Sequence, residues 1–148
     1  MSHQIPLLSY TSSSPSILLL SSAAAVIPAP TRSIYASTKS ASLMLYQALA
    51  IEHPLITFTL MIPGTIEGAF RASAVDNPPG SSGEPTLHEA DPNTHGLKRE
   101  VVATRCIRAI DDRDKTVFLP LYYRAGHIAY WLCPSYVEWR ARVKYRFR

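Results

Sequence analysis

The chain has 148 residues, of which 47% are hydrophobic and 18% charged, proportions typical of one globular domain with a buried core. Its formal net charge of +4 resides in the last segment, because residues 122–148 hold five Arg and one Lys against the single carboxylate of Glu138. No nucleic-acid-binding motif accompanies these cations, so nucleic acid is excluded as the expected partner. Cys106 and Cys133 lie far apart and outside any metal-ligand spacing, which argues against a disulfide framework and a metal site.

The first 15 residues are rich in Ser and Pro and show little periodicity, which predicts a disordered lead-in over 1–15. The apolar run that follows has no Lys or Arg before it, the first such residue being Arg32, and this argues against a secretory signal. The run is also shorter than the ~20 apolar residues that cross a bilayer. We therefore do not expect a secreted protein.

A short apolar run over residues 16–21 is typical of a parallel strand buried on both faces. Ser22 then lies at the carboxyl end of this strand, where open α/β sheets bind their ligands. After a loop broken by two prolines, a helix is predicted from Ser33, as its N-cap, to Glu52. Its apolar stripe faces either the core or a second subunit, and consists of Ile34, Ala41, Leu45, Ala48 and Leu49.

A second buried strand is predicted over Leu55 to Ile62, where β-branched and aromatic residues are enriched, and it ends in Pro63 and Gly64. Residues 71–94 are rich in Pro, Gly and Ser at their centre, so they form either a mobile loop over a substrate site or a plain connector. A helix is predicted over residues 97–110, with an apolar stripe through Ala103, Cys106, Ile107 and Ile110. Residues 116–121 predict a third strand at the sheet edge, because Pro120 removes a ladder donor.

The tail over residues 122–148 combines aromatic side chains with arginines. Aromatic residues flanked by cations are typical of the lipid headgroup region, so an interfacial segment at a membrane surface is one interpretation of this tail. Ordinary core packing of the aromatic rings is the other. The sequence accordingly predicts a membrane-associated protein, at the endoplasmic reticulum for example, or a cytoplasmic one.

Three polar residues have the spacing of a proton-transfer site. Tyr35 and Lys39 lie four residues apart on the first predicted helix, so their side chains share one face. An ammonium held beside a phenol favours the phenolate, and a serine at the preceding strand end, Ser22, can donate a hydrogen bond to a substrate oxygen. A catalytic set of Ser22, Tyr35 and Lys39 is one interpretation of this pattern. A surface tyrosine with a solvated lysine, and a serine that only ends the strand, is the other.

The order of these features resembles the short-chain dehydrogenase/reductase family: a strand ending in Ser21 and Ser22, a loop, Tyr35 and Lys39 on a helix, and a second strand ending in Pro63-Gly64. The resemblance covers residues 15–66 well, and the tail is similar to a fungal, membrane-associated branch that resembles hydroxysteroid dehydrogenases. It implies hydride transfer between a nicotinamide and a carbonyl or alcohol substrate. In the family the helix over residues 33–52 also packs against a partner subunit, which implies a homodimer.

The resemblance also implies a cofactor, NAD(P), with NADP slightly preferred. Its contacts would come from Tyr35 and Lys39 and from the loop of Pro63, Gly64, Thr65 and Ile66, where Gly64 allows the close approach of a ligand. The loop departs from the family pattern, because family members carry a threonine a few residues after the glycine. Here Thr65 follows Gly64 at once, and Gly68 occupies the later place.

The Gly-rich turn that holds the cofactor pyrophosphate has no counterpart among the six glycines of this chain. We therefore expect the C-terminal half of an incomplete Rossmann-like, doubly wound α/β parallel sheet over residues 16–121, followed by the aromatic and basic tail. Two interpretations stay open. The chain is a shortened form of an NAD(P)-dependent oxidoreductase, or it is a non-catalytic remnant that associates with membranes or dimerises.

Overall fold

The computed structural model of the chain describes residues 4–68 and 92–146. The central part of the segment expected to be a mobile loop or connector, residues 71–91, lies outside the described residues. The elements, in chain order, are α1 Gln4–Thr11, β1 Ser16–Leu20, a 3₁₀ turn Ala23–Ala25, α2 Ser33–Glu52, β2 Thr57–Pro63, α3 Pro92–His95, α4 Arg99–Asp111, β3 Thr116–Leu119, α5 Tyr122–Leu132 and α6 Pro134–Tyr145.

The three strands form one parallel sheet in the order β1-β2-β3. Leu19 of β1 pairs with Leu60 of β2, and Ile62 of β2 pairs with Phe118 of β3. The central strand is the most buried, because helices cover both of its faces, whereas β1 and β3 are the edges of the described sheet. This architecture is a mixed α/β fold consistent with an incomplete Rossmann-like sheet, and it confirms the predicted fold class.

Alternation along β2 divides the core into two layers. Phe58, Leu60 and Ile62 point to one face, where they pack with residues of α2, among them Leu43 and Tyr46. On the opposite face, Met61 packs with Ala109 and Cys106 of α4 and with Val117 of β3. Helices therefore lie on both faces of the parallel sheet, as in doubly wound folds.

Helix α2 spans the predicted residues, but the face that packs on the sheet shares only Leu49 with the predicted stripe. Leu43 is its buried residue, with Tyr46 and Leu49 beside it, whereas Ile34 and Leu45 of the predicted stripe are exposed. The predicted cap is also wrong, since Arg32 occupies the N-cap position and makes no side-chain capping bond. The helix is apolar on more than one side, so periodicity in the sequence did not identify the side that faces the sheet.

Two further predictions need correction. Helix α4 buries Val102 and Ala109 and half-buries Cys106, whereas Ile107 of the predicted stripe is exposed. The expected disordered lead-in contains helix α1, because Ile5 has an apolar site to occupy against Ile56 and Phe58. Local sequence does not show that α1 and this face of α4 are packed, because the residues they contact lie elsewhere in the chain. Ile5 of α1 packs on Phe58 of β2, and Ala109 of α4 packs on Met61 of β2.

The tail folds into two consecutive helices, α5 and α6, joined at Cys133 and Pro134. Neither helix contains a fully buried residue. No helix in the described residues combines the length and the hydropathy needed to traverse a bilayer. Cys133 is exposed at the junction.

Candidate active site

The two serines that follow β1 have different environments. Ser21 is buried, and its N–H donates to the carbonyl of Met61 at 2.8 Å, which extends the pairing of β1 with β2 by one residue. Ser22 is half-buried and caps the 3₁₀ turn, its Oγ accepting a bond from the N–H of Ala24 at 3.2 Å. A hydroxyl has one donor and two acceptor positions, so this cap does not engage the O–H donor of Ser22.

Helix α2 starts beside this strand end and is tied to it. The hydroxyl of Ser40 donates to the carbonyl of Ala25 at 2.8 Å, which joins the second turn of the helix to the 3₁₀ turn. The ammonium of Lys39 donates to the carbonyl of Leu20 at 3.1 Å. Both bonds hold the amino-terminal half of α2 against the carboxyl end of β1.

Tyr35 and Lys39 are brought together by the helix, as the four-residue spacing predicts. Nζ of Lys39 lies 5.9 Å from the centroid of the Tyr35 ring, and both side chains are half-buried. A cation at this distance from an aromatic ring is attracted by the ring electrons. The lysine thus contacts the tyrosine and the last residue of β1 at once.

The hydrogen bond from Lys39 to Leu20 also shows that its ammonium lies at an edge of the described sheet. The N–H of Ser21 points to β2, and the carbonyl of Leu20 belongs to the same trans peptide group, so this carbonyl points the opposite way. Leu20 O therefore faces the open edge of the described sheet, and the Lys39 ammonium lies at that edge. In a longer sheet, a strand added to β1 would lie beside this lysine.

The loop after β2 is held by backbone bonds on both sides. Gly64 donates to the carbonyl of Leu119 at 2.7 Å, which continues the ladder between β2 and β3. The carbonyl of Thr65 accepts from Leu97 at 2.8 Å, and Ile66 forms a parallel bridge with Leu97. Pro63, as the last residue of β2, and these three loop residues therefore have a defined backbone position at the carboxyl end of the sheet.

A side chain of the protein itself approaches Gly64 closely. A Cβ atom added to Gly64 would lie 2.9 Å from Oη of Tyr123 and 3.0 Å from its Cζ. Atoms in ordinary contact are about 3.5–4.0 Å apart, so no larger residue fits without a shift of the ring. The sequence led us to expect a ligand against Gly64, whereas the structure has the ring of Tyr123 there.

Helix α5 crosses the carboxyl ends of the strands through two residues that the sequence did not identify. Tyr123 packs against Gly64, and His127 joins the loop after β1 through Nδ1, which lies 3.0 Å from the carbonyl of Val26. The His127 ring also stacks on Phe118 of β3, with centroids 6.0 Å apart. His127 is therefore a packed residue that joins α5 to β3 and to the loop after β1.

Two titratable groups near the loop and the core have shifted pKa values. The hydrogen bond from Lys98, at 2.9 Å, together with the N–H of Arg99, lowers the pKa of Glu67 below its ordinary value of 4.5. Burial raises the pKa of the Cys106 thiol. The Glu67 carboxylate thus joins the loop after β2 to the start of α4. Cys106 stays protonated, as a packed thiol.

The donors at this end of the sheet fit only one end of a nicotinamide dinucleotide. The Tyr35 hydroxyl and the Lys39 ammonium are groups that can hold ribose hydroxyls, and the ammonium lies beside the strand end that precedes Ser22. The sequence contains no Gly-rich turn for the pyrophosphate, and Tyr123 covers Gly64. Within the described part of the chain, no three His, Cys, Asp or Glu side chains come together as a metal site.

Comparison with known proteins gives one distant relative that agrees with these features. The chain is 26% identical over 138 residues to 11-beta-hydroxysteroid dehydrogenase A of Arachis hypogaea, and the alignment covers 87% of this chain and 38% of that protein. The chain thus spans less than half the length of this relative. No protein-family model matches the chain. At this identity the comparison supports a resemblance to short-chain dehydrogenases and no more than that.

Proposed function

We propose that this chain carries the proton-transfer half of a short-chain dehydrogenase/reductase, with Tyr35 as the general acid/base. The observation that supports the proposal is the position of the Lys39 ammonium, 5.9 Å from the Tyr35 ring centroid and bonded to the last residue of the strand that precedes Ser22. The distant dehydrogenase relative points the same way. The substrate class is a carbonyl compound or the corresponding alcohol.

The proposed roles follow from the chemistry of the three groups. In reduction, the Tyr35 hydroxyl gives its proton to the carbonyl oxygen, and the positive charge of Lys39 stabilises the phenolate that forms. The Ser22 hydroxyl donates a hydrogen bond to the same oxygen and orients it. The loop of Pro63, Gly64, Thr65 and Ile66 would hold the nicotinamide, which would supply the hydride, and this requires the Tyr123 ring to move away from Gly64. NADP is slightly preferred over NAD.

The first experiment uses reduced nicotinamide mononucleotide, because this probe does not need the pyrophosphate cradle that the sequence lacks. We expect millimolar probe to shift amide resonances of the Gly64 loop and of the first turn of α2 in the full chain. The Lys39→Met variant should lose these shifts, whereas Lys144→Met, at an exposed position of α6, should keep them. Absence of shifts at saturating probe in the wild-type chain would refute the proposed binding site.

A second experiment tests the chemical role of the tyrosine. The full chain, supplied with the reduced mononucleotide and an aldehyde, should oxidise the probe, and Tyr35→Phe should lower this rate by about 100-fold or more, the usual contribution of a general acid. The variant keeps the ring and so keeps its contact with Lys39. Equal rates in the two proteins would eliminate Tyr35 as the acid while leaving the binding result intact.

A second candidate function is dimerisation, which the exposed apolar residues of α2 support. The side of α2 turned away from the sheet carries large apolar side chains, of which Met44 and Ile51 are 67% and 82% exposed. An apolar face of this kind matches itself in an isologous dimer, in which two copies of α2 pack in antiparallel fashion. We propose a second copy of this chain as its occupant.

Molar mass in solution tests the dimer. Light scattering after gel filtration should give twice the chain mass for the wild type and the single mass for the double variant Met44→Glu, Ile51→Glu. Thr104→Glu adds a negative charge at an exposed position of another helix, α4, and should leave the dimer intact. A wild-type chain that elutes as a monomer at 100 μM would contradict the proposal.

A further inference from the structure

The two tail helices expose most of their large apolar side chains. Trp131 and Trp139 are 77% and 56% exposed. Tryptophan side chains are, on average, largely buried in folded proteins. Exposed apolar surface in a continuous patch marks an interaction site more often than isolated residues do. The other exposed members of α5 and α6 are Tyr122, Ile128, Leu132, Tyr136 and Val143.

The large apolar residues that α6 exposes lie on one side of the helix. Tyr136, Trp139 and Val143 follow the i, i+3, i+7 spacing of a single helical face, and the rings of Tyr136 and Trp139 lie 6.1 Å apart. The half-buried residues of α6, Val137, Ala141 and Tyr145, lie on another side. The helix therefore presents an organised aromatic face to solvent.

Helix α5 has the same division. Its half-buried residues, among them Tyr123 and His127, contact the strand ends, whereas Ile128 and Leu132 are exposed and share a face through their i, i+4 spacing. Trp131 is also exposed near the junction with α6. The apolar surface of the tail is thus left over after α5 has packed against the fold.

The charges on and after α6 select the partner. Arg140, Arg142, Lys144 and the capping residue Arg146 stand against one carboxylate, Glu138, which Arg142 approaches only to 3.9 Å. A second copy of such a cationic helix is repelled, whereas an anionic surface is attracted. Tryptophan and tyrosine next to Lys and Arg are the combination that settles at the headgroup level of a bilayer.

We propose that α5 and α6 dock this chain onto the surface of an anionic phospholipid bilayer. The aromatic face of α6 enters the headgroup region, and the cations bind the lipid phosphates and carboxylates. The docking is interfacial, and it does not depend on the enzymatic proposal. Because α5 also contacts Gly64 and the loop after β1, docking holds the carboxyl end of the sheet close to the lipid.

Tryptophan fluorescence tests the proposal directly, because Trp131 and Trp139 are the two tryptophans of the chain and both lie in the tail. The full chain is titrated with phosphatidylcholine vesicles containing 30% phosphatidylserine and with pure phosphatidylcholine vesicles. We expect a blue shift of the emission and co-sedimentation with the anionic vesicles, and a loss of both in 0.5 M NaCl. Unchanged emission with anionic vesicles at low salt would overturn the proposal.

A matched pair of charge variants tests whether the tail is the binding surface. Each Lys or Arg near an anionic surface contributes about fivefold to partitioning, so Arg140→Gln with Lys144→Gln should weaken binding by roughly 25-fold. Arg108→Gln with Lys115→Gln removes two exposed cations outside the tail and should change binding by less than about threefold.

Two other outcomes would also overturn the proposed docking surface. Equal weakening in the two double variants would mean attraction by net charge alone and would overturn the docking surface. A blue shift that depends on protein concentration without vesicles would identify self-association through the tail, which also overturns it. Circular dichroism checks that each variant keeps the wild-type fold, as expected for substitutions at exposed positions.

Discussion

Substitution of Gly64 by alanine tests the contact that covers the candidate cofactor loop. At an unstrained site, Gly→Ala stabilises a protein by about 0.4–1 kcal/mol, because it reduces the freedom of the unfolded chain. Here the new Cβ would lie 2.9 Å from Oη and 3.0 Å from Cζ of Tyr123, inside ordinary contact distance. Overpacking of this kind costs about 1–3 kcal/mol, so we expect a net loss of roughly 1–2 kcal/mol.

The cause of that loss can be isolated with a double-mutant cycle. In a Tyr123→Ala background, Gly64→Ala should cost nothing or stabilise slightly, giving a coupling energy of about 1–3 kcal/mol. Gly68→Ala is the matched control, because Gly68 has φ +128° and nothing within 4 Å of an added Cβ. Its cost comes from backbone strain alone, and so it should be the same in both backgrounds.

Urea unfolding followed by circular dichroism measures all of these variants. Near the midpoint of thermal unfolding, the loss expected for Gly64→Ala corresponds to roughly 3–6 °C for a domain of this size. Equal destabilisation by Gly64→Ala with and without the Tyr123 ring would refute the contact, and with it the conclusion that α5 covers this loop.

Three further predictions concern stability. Thr59 is fully buried on β2, and its Oγ1 has no hydrogen-bond partner among the described residues. Thr59→Val should therefore stabilise the chain by about 1 kcal/mol, as measured by urea unfolding. Thr116→Val, at an exposed position, is the control and should change the stability little. The pKa of Glu67 is lower in the folded than in the unfolded chain, so its charge stabilises the fold above the ordinary pKa of 4.5, and this contribution is lost as the pH falls through the lowered pKa. Glu67→Gln should therefore lower the urea midpoint at pH 7, and a difference from wild type that does not shrink toward pH 3 would contradict this reasoning. Ile5→Ala should cost about 2 kcal/mol at most, because α1 can detach as a unit, and wild-type stability in this variant would show that α1 does not pack on the sheet.

The candidate site was partly accessible from sequence because some of its geometry is local. The spacing of Tyr35 and Lys39 fixes their shared face as soon as a helix forms, and the structure has the ammonium 5.9 Å from the ring centroid. The catalytic roles of Ser22, Tyr35 and Lys39 stay predictions. The contact between Tyr123 and Gly64 was missed because no local pattern connects two residues so far apart in the chain.

The sequence by itself determined the three strands, the helices α2 and α4 and the fold class, but not helix α1. Continuous apolar runs gave the three parallel strands, and the helix predicted over residues 33–52 is α2 at the same bounds, because Pro28 and Pro30 interrupt the chain before it and Pro54 after it. Only the tertiary structure decided which apolar residues are buried. Burial depends on which part of the fold lies opposite a side chain. Leu43 of α2 faces the sheet and is buried, whereas Leu45 of α2 and the aromatic face of α6 have no part of the described fold opposite them and are exposed.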